Sequence, residues 1–377
     1  MGGPLAGVRV LELGGIGPAP YAAMLLGDMG AEIIRVDRPG EAGRANPFPV
    51  LHRNRCSITV DLKDPRGAAV VRALVPGVDA VIEGFRPGVA ERLGLGPDDL
   101  LARNPALAYG RMTGWGQDGP LAQEPGHDIN FIALTGVLEA IGTPDEPLPP
   151  LNLVGDMGGG MFLALGVLGA IVGARTSGNG QVVDAAMTDG SASMMAMVLD
   201  FLNAGRWNVE RGTNGIDGGS PCYAVYRCAD ERHVALGIAD SRSYRALLDV
   251  LGMADDPVFA DRQDRSAWPR MRKTLAAAFA QRERDDWERV FAGRGACFSP
   301  VLDMVEAPHH PHHRARSTYL VGEGGAIAPA PAPRFSATPL PEPVAAPVIG
   351  AHTDSVLLAA GVPALRLREL RDAGVVA

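Results

Sequence analysis

The sequence predicts an α/β protein: a parallel sheet with helices on its faces, accompanied by a smaller α+β unit. The first observation is the opening, where "VRVLEL" (Val8–Leu13) alternates and runs into "GGIGPAP". "YAAMLLGDMG" then supplies helix-forming residues with Gly30 as a natural stop, and "EIIRVD" reads as the second strand. The second observation is that "AVIEGF" (Ala80–Phe85) and "LAYGRMTGWG" (Leu107–Gly116) repeat the strand running into a glycine loop. Strands alternating with helices imply a parallel sheet, whose ligands bind beyond the carboxyl ends of its strands. The third is a change of texture after "QVVDAAMTDGS". Ser191–Ala204 reads as a Met-rich helix, and Tyr223–Cys228 and His233–Ile238 form a hairpin about "ADER". "SRSYRALLDVLGM", "WPRMRKTLAAAFAQR" and "DDWERVFAGRG" follow as helices. Gly324–Gly350 holds seven prolines and reads as an extended strap, with "PALRLRELRDAG" as a final amphipathic helix. The expected organisation is a large domain over 1–190, a linker helix and connection over 191–222, a small α+β domain over 223–315, and a return segment over 316–377.

The chain of 377 residues is long enough for two domains. Hydrophobic residues make up 46% and charged residues 21%, ordinary for a globular protein. With 35 Lys+Arg against 43 Asp+Glu the net charge is −8, which argues against nucleic acid or an anionic membrane as the general partner. Cys56, Cys222, Cys228 and Cys297 show no metal-like pairing and suit free thiols in a reducing compartment. The start lacks the basic and long apolar regions of a secretory signal. The uncharged run Met157–Ala174 is short for a bilayer span and glycine-rich, and reads as a helix inside a core. The expectation is a soluble, cytoplasmic protein without a membrane partner.

Gly15 and Gly17 after the first strand, with Asp37 ending the second, suggest a dinucleotide turn. Pro20 stands where a third glycine belongs, however, and Pro18 and Pro20 remove two donors a pyrophosphate would use. Arg38, Lys63, Arg86 and Arg92 stand at or just past successive strand ends. Each alone reads as a surface charge; together they suit a ligand with several phosphates, and Phe85 could lie against an adenine. His127 lies between Gly126 and Asp128 at the entry to an apolar segment, as a loop histidine or a general base. Asp156 precedes "MGGG" and reads as an N-cap of a helix starting at Met157. Three glycines in a first turn weaken a helix by roughly 1 kcal/mol each. They are explained if the bare amides of Asp156, Met157, Gly158 and Gly159 meet an oxyanion. Asp240 reads as the cap of "SRSYRALLDVLG", and "HHPHH" at 309–313 as a surface turn with no metal.

"GPLAGVRVLELGGIGPAPYAAMLLGDMGAEIIRVDRPG", "NRCSITVDLKDPRG", "VIEGFRPGVAERLGLG", "RMTGWGQDGPLAQEPGHDINFIALTGVL" and "PPLNLVGDMGGGMFLALGVLGAI" together resemble the family III CoA-transferase superfamily, and within it the α-methylacyl-CoA racemases. The resemblance spans nearly the whole chain. It implies an interlocked homodimer, each chain having a Rossmann-like large domain completed by its C-terminal segment and a small domain inserted between. It places a histidine base at His127 in "GHD" and an aspartate base at Asp156 in "GDMGGG". In the transferase branch the same aspartate is a nucleophile and the histidine position usually differs. Acyl-CoA contacts implied by the resemblance fall on Ile16, Arg38, Val60, Asp61, Leu62, Lys63, Gly84, Phe85, Arg86, Arg92, Gly126, Asp128, Ile129, Asn130 and Phe131. CoA is then part of the substrate, and no separate cofactor is implied. The racemases carry a supporting glutamate in the small domain; "GIAD" offers the shorter Asp240.

The expected chemistry is removal of the hydrogen alpha to a thioester carbonyl from one face and its return to the other. Two bases on opposite faces achieve this without rotation of the intermediate. The alternatives are a CoA-transferase with Asp156 as nucleophile, a catalytically silent acyl-CoA binder, and, more distantly, a nicotinamide oxidoreductase. No residue selects among branched fatty, sterol side-chain and arylpropanoyl thioesters.

Overall fold

The computed structural model describes residues 2–377. The chain divides into two compact units: residues up to Val137, Pro150–Met195 and Ala330–Ala377 form one, and Leu138–Pro149 with Ala196–Pro329 form the other. The return to the larger unit therefore comes at Ala330, later than the expected 316. The excursion Leu138–Pro149, read from sequence as part of the large domain, belongs with the smaller unit.

Among the described residues, the larger unit is built on a six-stranded parallel sheet. Its strands are β1 (Arg9–Glu12), β2 (Glu32–Asp37), β3 (Arg55–Thr59), β4 (Ala80–Glu83), β5 (Ala108–Thr113) and β6 (Gln181–Ala186). Their order is β3-β2-β1-β4-β5-β6. The chain turns one way from β1 and the other way from β4, so a crevice opens beyond the carboxyl ends of these two strands. Gly14–Gly17 follows β1 and Gly84–Arg86 follows β4, which puts both segments at that crevice.

The strands are apolar on both faces because both are covered. Val10 and Ile33 join one buried cluster with Leu163, Val167 and Ile171 of the long helix Gly159–Ser177. Leu11 and Ile34, one residue on in each strand, join the opposite cluster. There Leu357, Leu367, Leu370, Val375 and Val376 come from the C-terminal segment. That segment is pinned by Thr59 Oγ1 to the Ala377 carbonyl (2.7 Å) and by Asp61 N–H to Val375 O (2.8 Å).

The stretch Leu153–Ser177 is long and apolar enough to cross a membrane; an 18-residue window within it has mean hydropathy 1.9, and half of that window is buried inside the protein. Its buried side packs on β5, β6 and helix α1 (Pro18–Asp28). Its outer side leaves Met161, Leu165 and Val172 exposed, a stripe at helical spacing.

The smaller unit has its own core. Strands Tyr223–Arg227, His233–Gly237 and Phe298–Pro300 form an antiparallel sheet. Helices Ser241–Leu251, Trp268–Phe279 and Arg284–Phe291 pack Leu247, Met271, Phe279, Trp287 and Phe291 around it. The hairpin read from alternation is present, shorter by one residue at the end of each strand.

Candidate active site

The crevice holds a cavity of about 780 Å³, lined from β1 by Ile16 and Gly17, from β4 by Gly84, Phe85 and Arg86, and from later segments by Trp115, His127, Asn130, Asn152 and Asp156. His127 arrives as the extended residue before helix Asp128–Ala133, and its N–H donates to Asn130 Oδ1 (3.1 Å). Its ring is exposed to the cavity.

Asp156 arrives differently from the sequence expectation. It caps no helix: it sits inside a π-helical turn, Leu153–Gly158, that runs directly into Gly159–Ser177. Such turns concentrate at functional sites because the wider coil pushes one residue out of line. Asp156 is half-buried, and burial pushes its carboxyl above the ordinary aspartate range. A hydrogen bond from Asn152 Nδ2 (3.1 Å) opposes this, the neighbouring Asp128 charge adds to it, and His127 across the cavity lowers it. Asp156 therefore senses the charge of His127.

Asp128 makes the π turn fit. It is buried, and its Oδ2 accepts the Asp156 N–H at 2.7 Å. A Cβ on Gly155 would stand 2.6 Å from that oxygen, so a side chain there would break the clasp. Of the four expected oxyanion donors, three are engaged within the protein. The Asp156 amide is taken by Asp128, Met157 N–H by Asn152 O (3.1 Å), and Gly159 N–H by the Asp156 and Gly155 carbonyls. The triple glycine has a packing cause. Added Cβ atoms would lie 2.7 Å from Met194 Cε at Gly158, 2.8 Å from Met187 Cγ at Gly159, and 2.6 Å from Pro18 O at Gly160.

Phe131 is buried, edge-on to Trp115 with centroids 4.7 Å apart, and fills the room left by Gly114 and Gly126. Of the other residues implied for the acyl-CoA, Arg38, Val60, Asp61, Leu62, Lys63 and Phe85 line a neighbouring cavity of about 820 Å³. Val60 is itself buried and bridges to Val376. Ile16 is 76% exposed at the cavity mouth. Ile129 and Arg92 line neither cavity; Arg92 Nη1 lies against Gly88. Among the described residues, none of Arg38, Lys63, Arg86 and Arg92 has a carboxylate within 4 Å. Arg35, Arg55 and Arg111, by contrast, are locked in buried ion pairs. Arg38, Lys63 and Arg86, unpaired beside the two cavities, suit phosphates, and Arg92 stands apart from both.

Asp240 lies in the smaller unit, where it caps helix Ser241–Leu251. Its Oδ1 accepts from the amides of Arg242 (2.8 Å) and Ser243 (2.9 Å), and its Oδ2 from Ser243 Oγ (2.8 Å). These bonds hold its carboxyl below the ordinary range. The capping role read from its sequence position is thus occupied. Sequence reasoning missed Asn152, four residues before Asp156 and one helical turn away, and Trp115, whose tryptophan-in-a-glycine-loop context gave no chemical signal.

A parallel sheet with a crevice at its strand ends, two ionisable groups facing one cavity, and unpaired cations beside it suit an anionic, phosphate-bearing ligand. The family model for CoA-transferase family III matches residues 5–353. The chain is 40% identical to human alpha-methylacyl-CoA racemase over 94% of this chain and 92% of that one. It is 34% identical to the succinyl-CoA–D-citramalate CoA-transferase of Chloroflexus aurantiacus, over 94% of this chain and 93% of that one. A CAIB/BAIF family protein from Brucella suis superimposes with a TM-score of 0.82 at 25% identity, over 96% of this chain and all of that one. The chain belongs to CoA-transferase family III.

Proposed function

We propose that this chain is an isomerase that inverts the alpha carbon of 2-methylacyl-CoA thioesters, with His127 and Asp156 as the two bases. The observation that carries the reading is that these two groups come from separate elements to one cavity, beside a second cavity flanked by unpaired cations. The similarity to a racemase over nearly the full chain supports it. One base takes the proton as the other, protonated, delivers one to the opposite face. Their roles exchange between the two directions. The raised carboxyl of Asp156 suits this, because a carboxylate held above its ordinary range spends more time as an acid near neutral pH. With the amides of Asp156, Met157 and Gly159 committed, the reading relies on that opposed acid to limit the charge an enolate accumulates. Arg38 and Lys63 bind the nucleotide end of CoA, remote from the reacting carbon, so their binding energy holds the acyl group in place.

CoA enters as part of the substrate, with no further cofactor, in a cytoplasmic setting. The reading includes a homodimer: the exposed stripe Met161, Leu165 and Val172 is what a second copy would cover, and light scattering of the purified protein tests it.

The test of function is incubation with one enantiomer of a 2-methylacyl-CoA in D2O, without free carboxylic acid. Alpha-deuteration with loss of chirality supports the two-base reading. His127→Ala should then abolish exchange on one face, a loss of about 10²–10⁴-fold. No exchange, followed by CoA transfer once an acid is added, would make Asp156 a nucleophile instead. CoA transfer is the activity named for the Chloroflexus relative. Tight CoA binding with neither activity would leave a silent binder.

A further inference from the structure

Beneath the crevice lies a group of charges that the proposed reaction does not use. Glu12, the last residue of β1, is fully buried. Arg35 of β2 pairs with it through Nη1, and Arg55 of β3 through Nε at 3.1 Å. Each guanidinium has a second hand on the glycine turn. Arg35 Nη2 donates to the Gly15 carbonyl at 3.2 Å, and Arg55 Nη2 to the Pro20 carbonyl at 2.6 Å. Arg35 is oriented further by Asp37 (2.8 Å), itself held by Ser57 Oγ (2.7 Å).

The turn so gripped leads directly into helix α1, closed there by the Tyr21 N–H to the Gly17 carbonyl (3.1 Å). Pro18 and Pro20 have no amide hydrogens, and Gly17 stands at φ 66°, ψ −118°, a conformation closed to residues with a side chain. What it holds in place is the wall of the site. A Cβ on Gly17 would lie 3.2 Å from Asp156 Oδ2, and Pro18 O would lie 2.6 Å from one on Gly160. The turn is thus pressed against the carboxylate and against the helix that follows it.

We propose that Glu12 is a positioning residue for Asp156: through Arg35 and Arg55 it fixes the Gly15 and Pro20 carbonyls, and so sets the turn against the Asp156 carboxylate. Burying charges this deeply is expensive, and apolar residues of similar size stabilise a core as well or better. The forked geometry, with each arginine shared between Glu12 and one end of the same turn, is what an apolar replacement could not supply. The inference rests on the reading of Asp156 as a base.

Glu12→Gln would leave the buried Arg55 guanidinium without a carboxylate and Arg35 with Asp37 alone, and is expected to fold poorly. Arg35→Lys is the informative variant, since it keeps a positive charge for Glu12 but loses the fork that reaches Gly15. A loosened turn admits water to Asp156, whose other charged neighbours, Asp128 and His127, are unchanged. For the enantiomer deprotonated by Asp156, kcat should fall about tenfold with KM within about twofold. The acid limb of its pH profile should move to lower pH, because hydration releases a carboxyl that burial had raised. Amide hydrogen exchange in residues 13–21 should quicken alongside. Arg35→Lys with wild-type kcat and an unmoved limb, or with lost stability and an unmoved limb, overturns the inference and leaves the reaction standing. A wild-type protein that exchanges no alpha protons overturns the reaction and this inference together.

Discussion

Gly155→Ala tests the clasp between Asp128 and the π turn. Gly155 lies in helical conformation, so alanine meets no backbone strain and the contact alone is probed. Its Cβ would stand 2.6 Å from Asp128 Oδ2, 2.9 Å from Cγ and 3.3 Å from Cα, so the buried backbone of residue 128 has to give way along with its side chain. Overpacking of this kind costs about 1–3 kcal/mol. The 2.7 Å bond from Asp156 N–H to a carboxylate, worth about 1.5–3 kcal/mol, is strained or lost with it. The two terms share one displacement and do not add in full, so about 2–4 kcal/mol is expected in urea denaturation. A shift of the Asp156 carboxylate by about 1 Å should also lower turnover about 100-fold. Gly215→Ala in the smaller unit is the control. A Cβ there meets nothing within 4 Å, so urea midpoint and turnover should be unchanged. A Gly155→Ala protein with wild-type urea midpoint and turnover would refute the account of how Asp156 is held.

Lys63→Ala should raise KM for acyl-CoA about tenfold and leave kcat nearly unchanged, with a shallower salt dependence of KM, measured in steady-state kinetics. Asp156→Asn should be inactive yet more stable than wild type at neutral pH. The folded state binds the Asp156 proton more tightly than the unfolded chain, so the carboxylate's stability contribution is lost as pH rises through its raised folded value; the gap should close on acidification below the ordinary aspartate range, as read by urea midpoints. His52 is held near about 4 by burial and by Arg35, so the unfolded chain takes up its proton first as pH falls from about 6.5. His52→Gln should therefore flatten the loss of stability between those two values.

Much of the larger unit was legible because its signals are local. Alternation in "VRVLEL" and "EIIRVD", the glycines and prolines between them and the helix-forming run after them specify a β–turn–α–β unit whatever surrounds it. His127 and Asp156 stood out for the same kind of reason, as ionisable groups at the mouths of apolar stretches. The resemblance to a known family added the roles. The hairpin of the smaller unit announced itself by alternation about a polar turn.

Other features depended on partners far apart in the chain. The glycines at 158–160 looked like bare donors for a ligand, but their neighbours are Met194, Met187 and Pro18, which no local pattern connects to them. Asp156 looked like a helix cap because Asp before an apolar helix usually is one. The coil had instead begun at Leu153, its wider turn closed by a carboxylate 28 residues earlier in the chain. Glu12, Arg35 and Arg55 carried no signal in the sequence, which does not show that three neighbouring strands deliver them to one buried point. The sequence by itself determined the elements and the chemical types at the site, since backbone preference and hydrophobic period act over a few residues. The tertiary structure alone decided which amides are free, how Asp156 is buried and what grips the turn beside it, because those follow from distances between segments that only packing brings together.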